Sequence, residues 1–218
     1  MLFYSLWVSL FGCDYGFTLP AEQSVPADVK PGDKIPIRPR RSILPGSVTG
    51  PPPPDAGITQ AQCSTISDGG PLEGSNECLT AKIACGETVI GHTRGGVNLY
   101  NTKFYEQKFC TPATTQHDGG DERVYLLELP EPNTRAIVYL DTPCADLDLA
   151  AMQYASGNHC PSNSSNVPRC EMTRKEGTAR EKVDLFNDSP SQWWIVVEGV
   201  GDEEGAFSLT VQCEEWRK

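Results

Sequence analysis

The chain has 218 residues and a formal net charge of −11, from 18 Lys and Arg against 29 Asp and Glu. That length accommodates one domain with a substantial core and excludes two large ones. The acidic balance excludes a nucleic-acid binder, which needs a basic surface to replace the counterions of phosphate.

Residues 1–12, MLFYSLWVSLFG, carry no charge and are dominated by Leu, Phe, Trp, Tyr and Val. The run is too short to cross a bilayer as a helix, which takes about 20 residues. It fits the apolar core of a secretory signal. With Leu10, Gly12 and Cys13 it resembles a bacterial lipoprotein signal, whose lipobox places Leu and a small residue before the Cys. That resemblance implies an acylated, palmitate-bearing Cys13 and a membrane partner reached through the lipid anchor. It implies a place in the bacterial cell envelope, periplasmic or surface-exposed. An ordinary cleaved signal or a buried terminal helix is the competing reading. Asp14 leaves the choice of inner or outer membrane open.

Ten of the 18 prolines lie between Cys13 and Pro54, ending in Pro51-Pro52-Pro53-Pro54. This stretch lacks a sustained apolar period and cannot offset the entropy of ordering. Residues 13–55 are therefore expected to form a disordered Pro-rich tether, about 130 Å long at full polyproline extension. Five of the 18 basic and four of the 29 acidic residues fall in 14–54, which leaves 13 and 25 for residues 55–218, a net −12. Such a domain attracts cations or basic partners.

Residues 56–218 read as a β domain. Strands are expected at Ala81–Cys85 and Glu87–Thr93, then at Val124–Leu129 and Arg135–Asp141, the last two joined through Asn133-Thr134 as a hairpin. Others are expected at Asp148–Tyr154, Glu181–Phe186 and Gln192–Glu198. In the last strand Phe207, Leu209 and Val211 alternate with Ser208, Thr210 and Gln212, placing one face on a core and the other in water. No stretch shows a sustained helical period. Many short strands with Gly, Pro and Asp turns give the expected fold class: all-β, a single disulfide-stapled β-sandwich with jelly-roll-like connections.

Beyond Cys13 the cysteines number eight: Cys63, Cys78, Cys85, Cys110, Cys144, Cys160, Cys170 and Cys213. Their spacing contains no CxxC, and His159-Cys160 is adjacent rather than at ligand spacing, which argues against zinc. An even set in a small acidic chain indicates disulfides and an oxidising compartment. Many pairings are open to eight cysteines. The expected set is Cys160–Cys170 within one polar segment, Cys85–Cys213 between a first strand and the last, Cys110–Cys144 and Cys63–Cys78.

One order of motifs carries a resemblance. It runs from Cys85-Gly-Glu-Thr-Val-Ile-Gly91-His-Thr93 through Asn98, Cys110, Gly120-Asp121-Glu-Arg-Val-Tyr125 and Asp146-Leu-Asp148. It closes with Gln192-Trp-Trp-Ile-Val-Val-Glu-Gly199 and Gly205-Ala-Phe207-Ser-Leu209-Thr-Val211. This order resembles the prepeptidase C-terminal (PPC-like) β-sandwich, in the cysteine-bearing form found on putative lipoproteins of Gram-negative bacteria. The resemblance covers about 78–213, and the polar region 153–180 is longer than the family's short loop. It implies an accessory or surface module, and calcium in some members.

Three constellations are candidates for chemistry. His92, His117 and His159 stand in turn-like or polar contexts with no adjacent nucleophile and no G-x-S-x-G, so no catalytic residue is assigned. Asp118 and Asp121 lie in one oxygen-rich loop; Asp146 and Asp148 are two apart, on one side of a strand. These four are the candidate calcium ligands, against plain acidic turns; no other cofactor is implied. Trp193 and Trp194 are adjacent, so one faces outward, as a binding platform or covered by the 153–180 segment or the tether. The function expected is a non-enzymatic envelope lipoprotein displaying a binding module, its ligand a carbohydrate or another envelope protein. The alternatives are a structural or inhibitor-like partner of a secreted protease and, last, a hydrolase.

Overall fold

The computed structural model describes residues 34–36, 57–73, 77–110, 116–155, 159–173 and 175–216. Among these, ten strands form two five-stranded sheets that face one another. One sheet runs, in spatial order, β1 (Lys34–Pro36), β3 (Glu87–His92), β10 (Ala206–Glu215), β5 (Thr134–Asp141) and β8 (Glu181–Asn187). The other runs β2 (Leu79–Ile83), β4 (Arg123–Leu129), β9 (Ser191–Gly199), β6 (Leu147–Gln153) and β7 (Arg169–Met172). All named pairs are antiparallel except β2 with β4. The eight expected strands are present, and the all-β sandwich is the fold.

Strand alternation builds the inter-sheet core. Tyr125, Leu127 and Leu129 of β4, Trp193, Ile195 and Val197 of β9, and Phe207, Leu209 and Val211 of β10 turn one face inward and are buried. Much of the opposite face of the β9 sheet is buried as well. Val124 and Leu126, Ala150 and Met152, and Trp194 and Val196 pack against Tyr100, Phe104 and Tyr105. These aromatic residues belong to a cap over 97–110 that contains α1 (Thr102–Gln107). Asn101 starts α1 by accepting the Phe104 N–H at 2.9 Å. Six residues are too few for a periodic signal, which is why the sequence reads as helix-free.

Two further expectations are corrected, and two strands stand where none is expected. The segments of β4 and β5 do not form a hairpin: they lie in different sheets, and Pro130 and Pro132 between them cannot donate to a ladder. The chain arches over at Asn133, whose φ is 53°. The second face of β10 is not in water. Ser208 and Thr210 are buried, with the Thr210 hydroxyl 2.9 Å from that of Thr88. Lys34–Pro36, inside the expected tether, pairs with β3 through Lys34↔Val89. β7 lies inside the polar 153–180 segment.

All eight cysteines pair, but in a different set from that expected except for Cys85–Cys213. The others are Cys63–Cys144, Cys78–Cys160 and Cys110–Cys170, spanning 81, 82 and 60 residues. The expected local links fail because each cysteine meets what packs beside it. Cys170 lies under the cap beside Cys110, and Cys144 lies beside the 57–66 segment that covers Ile90 and Ala206. Bridges of this kind form outside the reducing cytosol. No helix of the described residues is long and apolar enough to cross a membrane.

Candidate functional site

A buried group of titratable side chains lies beneath the cap, where β6, β9, α1 and the loop 116–122 meet. The loop is shaped by close backbone approach. Gln116 adopts φ 80°, and its carbonyl accepts the Gly201 N–H at 2.5 Å. A Cβ on Gly120 would stand 2.7 Å from the Gly199 oxygen, so the two loops touch only because glycine occupies that position. This fold carries His117 inward, where its N–H donates to the Thr102 hydroxyl at 3.1 Å.

Asp148 and Glu198 are register partners on β6 and β9, and their side chains share the outer face with Trp194 and Val196. His117 lies between them. Its Nε2 is 3.4 Å from Asp148 Oδ2, and its Nδ1 is 3.7 Å from Glu198 Oε1. The Tyr105 hydroxyl donates to Glu198 Oε2, and the Tyr105 ring meets the imidazole edge-on at 5.4 Å. Glu122, fully buried, accepts the N–H groups of Leu99 and Tyr100 at 2.5 and 2.7 Å. The carboxylate thus fastens the start of the cap to the root of β4.

Burial sets the protonation of this group. It holds the Glu198 carboxyl well above the usual range, and Glu122, Asp148 and Asp118 add to this while the Tyr105 hydrogen bond opposes it. Burial also pushes Glu122 up to about 7, against the backbone N–H bonds from Tyr100 and Leu99. Tyr105 is raised by burial and then by Glu198. Carboxyl, imidazole and phenol groups can stay buried together here, because each has a polar partner within reach. These groups face one another and the cap.

The four candidate calcium ligands are not assembled. Asp121 accepts the Gly95 N–H at 3.1 Å, Asp146 donates its N–H to Glu203 at 2.7 Å, Asp148 faces His117, and Asp118 is exposed. Among the described residues no three His, Cys, Asp or Glu side chains are grouped to hold a metal. Neither tryptophan forms a surface platform. Trp193 and Trp194 are both fully buried, the first between the sheets and the second under Tyr154 and the cap. Their ring N–H groups donate to Ser191 and to the Tyr154 carbonyl. His92 accepts the Arg94 N–H at 3.0 Å, and its pKa is lowered by burial and then by Arg94. His159 is exposed. Cys13 lies outside the described residues.

The role of His117, Glu122 and Glu198 was not read from the sequence. The available signal was Glu198 in phase with Trp194 and Val196, and Asp148 in phase with Ala150 and Met152. An acid in phase with large apolar residues lies on a covered face and needs a partner there. An open groove of about 660 Å³ lies elsewhere among the described residues, over the ends of β2, β4 and β9. Lys82, Glu128 and Gln192 edge it above Leu126 and Pro190, with Glu128 paired to Lys82 at 3.3 Å.

No family model matches the chain, and no curated protein matches it. Among solved structures it is similar to the pre-peptidase C-terminal domain of a collagenase from Bacillus anthracis, with TM-score 0.34 and 13% identity over 65% of this chain and 97% of that one. It is also similar to a periplasmic inhibitor of g-type lysozyme from Aeromonas hydrophila, with TM-score 0.30 and 14% identity over 44% and 78%. A third likeness is to a surface-associated copper-binding protein of Methylomicrobium album, with TM-score 0.36 and 6% identity over 62% and 98%.

Proposed function

We propose that this chain is a non-enzymatic envelope protein, anchored by acyl chains on Cys13, whose disulfide-stapled sandwich works by binding another protein. The observation that carries the reading is the use made of the titratable residues. His117, Asp148, Glu198 and Glu122 are sealed against the cap and occupied in holding it. A substrate from solution would have to lift α1 and break the Tyr105–Glu198 contact to reach them. Burial of both tryptophans removes the paired-indole platform that the sequence offers to a sugar ligand, which favours a protein partner.

The test uses the full chain with Cys13→Ser, purified in the oxidised state. It is assayed against ester, peptide and glycosidic substrates, and its binding to a purified envelope protein recovered with it is titrated. Saturable one-to-one binding without turnover is the expected result. Turnover that disappears on replacing His92, His117 or His159 would overturn the reading.

A further inference from the structure

Phe109 breaks two local rules at once. It follows the last residues of α1 with φ 54°, a conformation a bulky L-residue rarely adopts. Its N–H donates to the Glu106 carbonyl, and the Cys110 N–H donates to the Tyr105 carbonyl, both at 3.1 Å. That is the Schellman ending of a helix, and Phe109 occupies the position where glycine is the usual choice. Its side chain is 85% exposed, by far the most exposed large apolar group among the described residues. The ring therefore returns little packing to the fold for the strain it imposes.

The backbone on either side of Phe109 is tied down. Lys108 donates through Nζ to the carbonyls of Asn163 and Ser165 at 3.0 and 2.6 Å. Cys110 is bonded to Cys170 of β7. Glu106 and Gln107, both exposed, precede it on the helix. An aromatic ring held rigidly outward next to polar residues has the anatomy of an interface hot spot, where little ordering entropy remains to be lost on binding. Local rules are broken in this way mainly at functional positions.

We infer that Phe109 is the anchor through which this domain docks into an apolar pocket of a basic partner protein; this rests on the reading of the domain as a binding module. Charge selects the partner. Residues 55–218 carry a net −12, which attracts a basic surface and is repelled by anionic lipid.

The test places a photo-reactive benzoyl-phenylalanine at position 109 of the full chain in its own cell envelope. The expected product is one discrete protein adduct, competed by wild-type chain but not by Phe109→Gly. With the purified partner, Phe109→Gly should weaken binding at least about 30-fold, Phe109→Leu much less, and added salt should slow association. Phe109→Gly should melt about 2–4 °C higher than wild type, because glycine relieves the positive φ. A lower melting temperature would mean that the ring supports the fold, and the inference would fail. Lipid adducts, a self-adduct at twice the chain mass, or no protein adduct would overturn it too. Equal binding by wild type and Phe109→Gly removes the anchor and leaves the binding-module reading standing. Absence of any envelope partner for wild type removes both.

Discussion

Replacing Glu122 by Gln tests the reasoning about the buried cluster directly. In the folded chain burial holds Glu122 at about 7, against an ordinary value of 4.5. Between those values the folded state keeps a proton that the unfolded chain has lost, so unfolding releases a proton and stability falls as pH rises. The contribution is fully present below 4.5, declines up to about 7 and is flat above. At about 1.4 kcal/mol per pH unit, the displacement amounts to about 3 kcal/mol. Gln retains an oxygen for the Leu99 and Tyr100 N–H groups and cannot ionise. Removing the charge at 122 also removes one of the charges that raise Glu198. Urea denaturation of wild type and Glu122→Gln, at half-unit steps from pH 4 to pH 8, gives the difference in unfolding free energy. That difference should grow in favour of the variant by about 3 kcal/mol over the range, moving the midpoint by about 1–2 M. Carboxylates paired elsewhere, such as Asp184 with Arg135, are common to both chains and cancel. A difference that is flat, or that grows in favour of wild type as pH rises, refutes the assignment of Glu122 as a buried acid that keeps its proton.

The cap should depend on its staple. Replacing Cys110 and Cys170 together by Ser opens a link of 60 residues and should cost about 4 kcal/mol in calorimetry, with amide exchange rising first over 97–110. Trp194→Ala should cost about 3–5 kcal/mol of stability, because the indole fills the core under the cap. A variant that kept its melting temperature would mean that Trp194 stands outside the packed layer. Mass spectrometry of the mature N-terminus should find acyl chains on Cys13, and Cys13→Ser should move the protein to the soluble fraction. A cleaved, unmodified N-terminus in the wild type would exclude the anchor.

The strands were legible because their signal is local. Tyr125 to Leu129, Gln192 to Glu198 and Phe207 to Val211 alternate or run apolar within about seven residues, and Pro, Gly and Asp stop them. The even set of cysteines announced disulfides for a similar reason: a count requires no geometry. The cap was not legible, because α1 is shorter than two turns and its aromatic residues acquire meaning only against Trp194 and Met152.

Thus the residue order by itself determined the class of fold, the oxidising compartment of its assembly and the acidic character of its surface. The tertiary structure decided the rest. It paired Cys110 with Cys170 and Cys63 with Cys144, turned a supposed hairpin into an arch between sheets, and buried both faces of β9. It also brought His117, 31 residues before Asp148 and 81 before Glu198 in the sequence, between their carboxylates. The physical reason is range. Alternation is a property of neighbours along the chain, whereas a disulfide partner, a covered face or a buried ion pair depends on which distant segments the packing brings within a few ångströms.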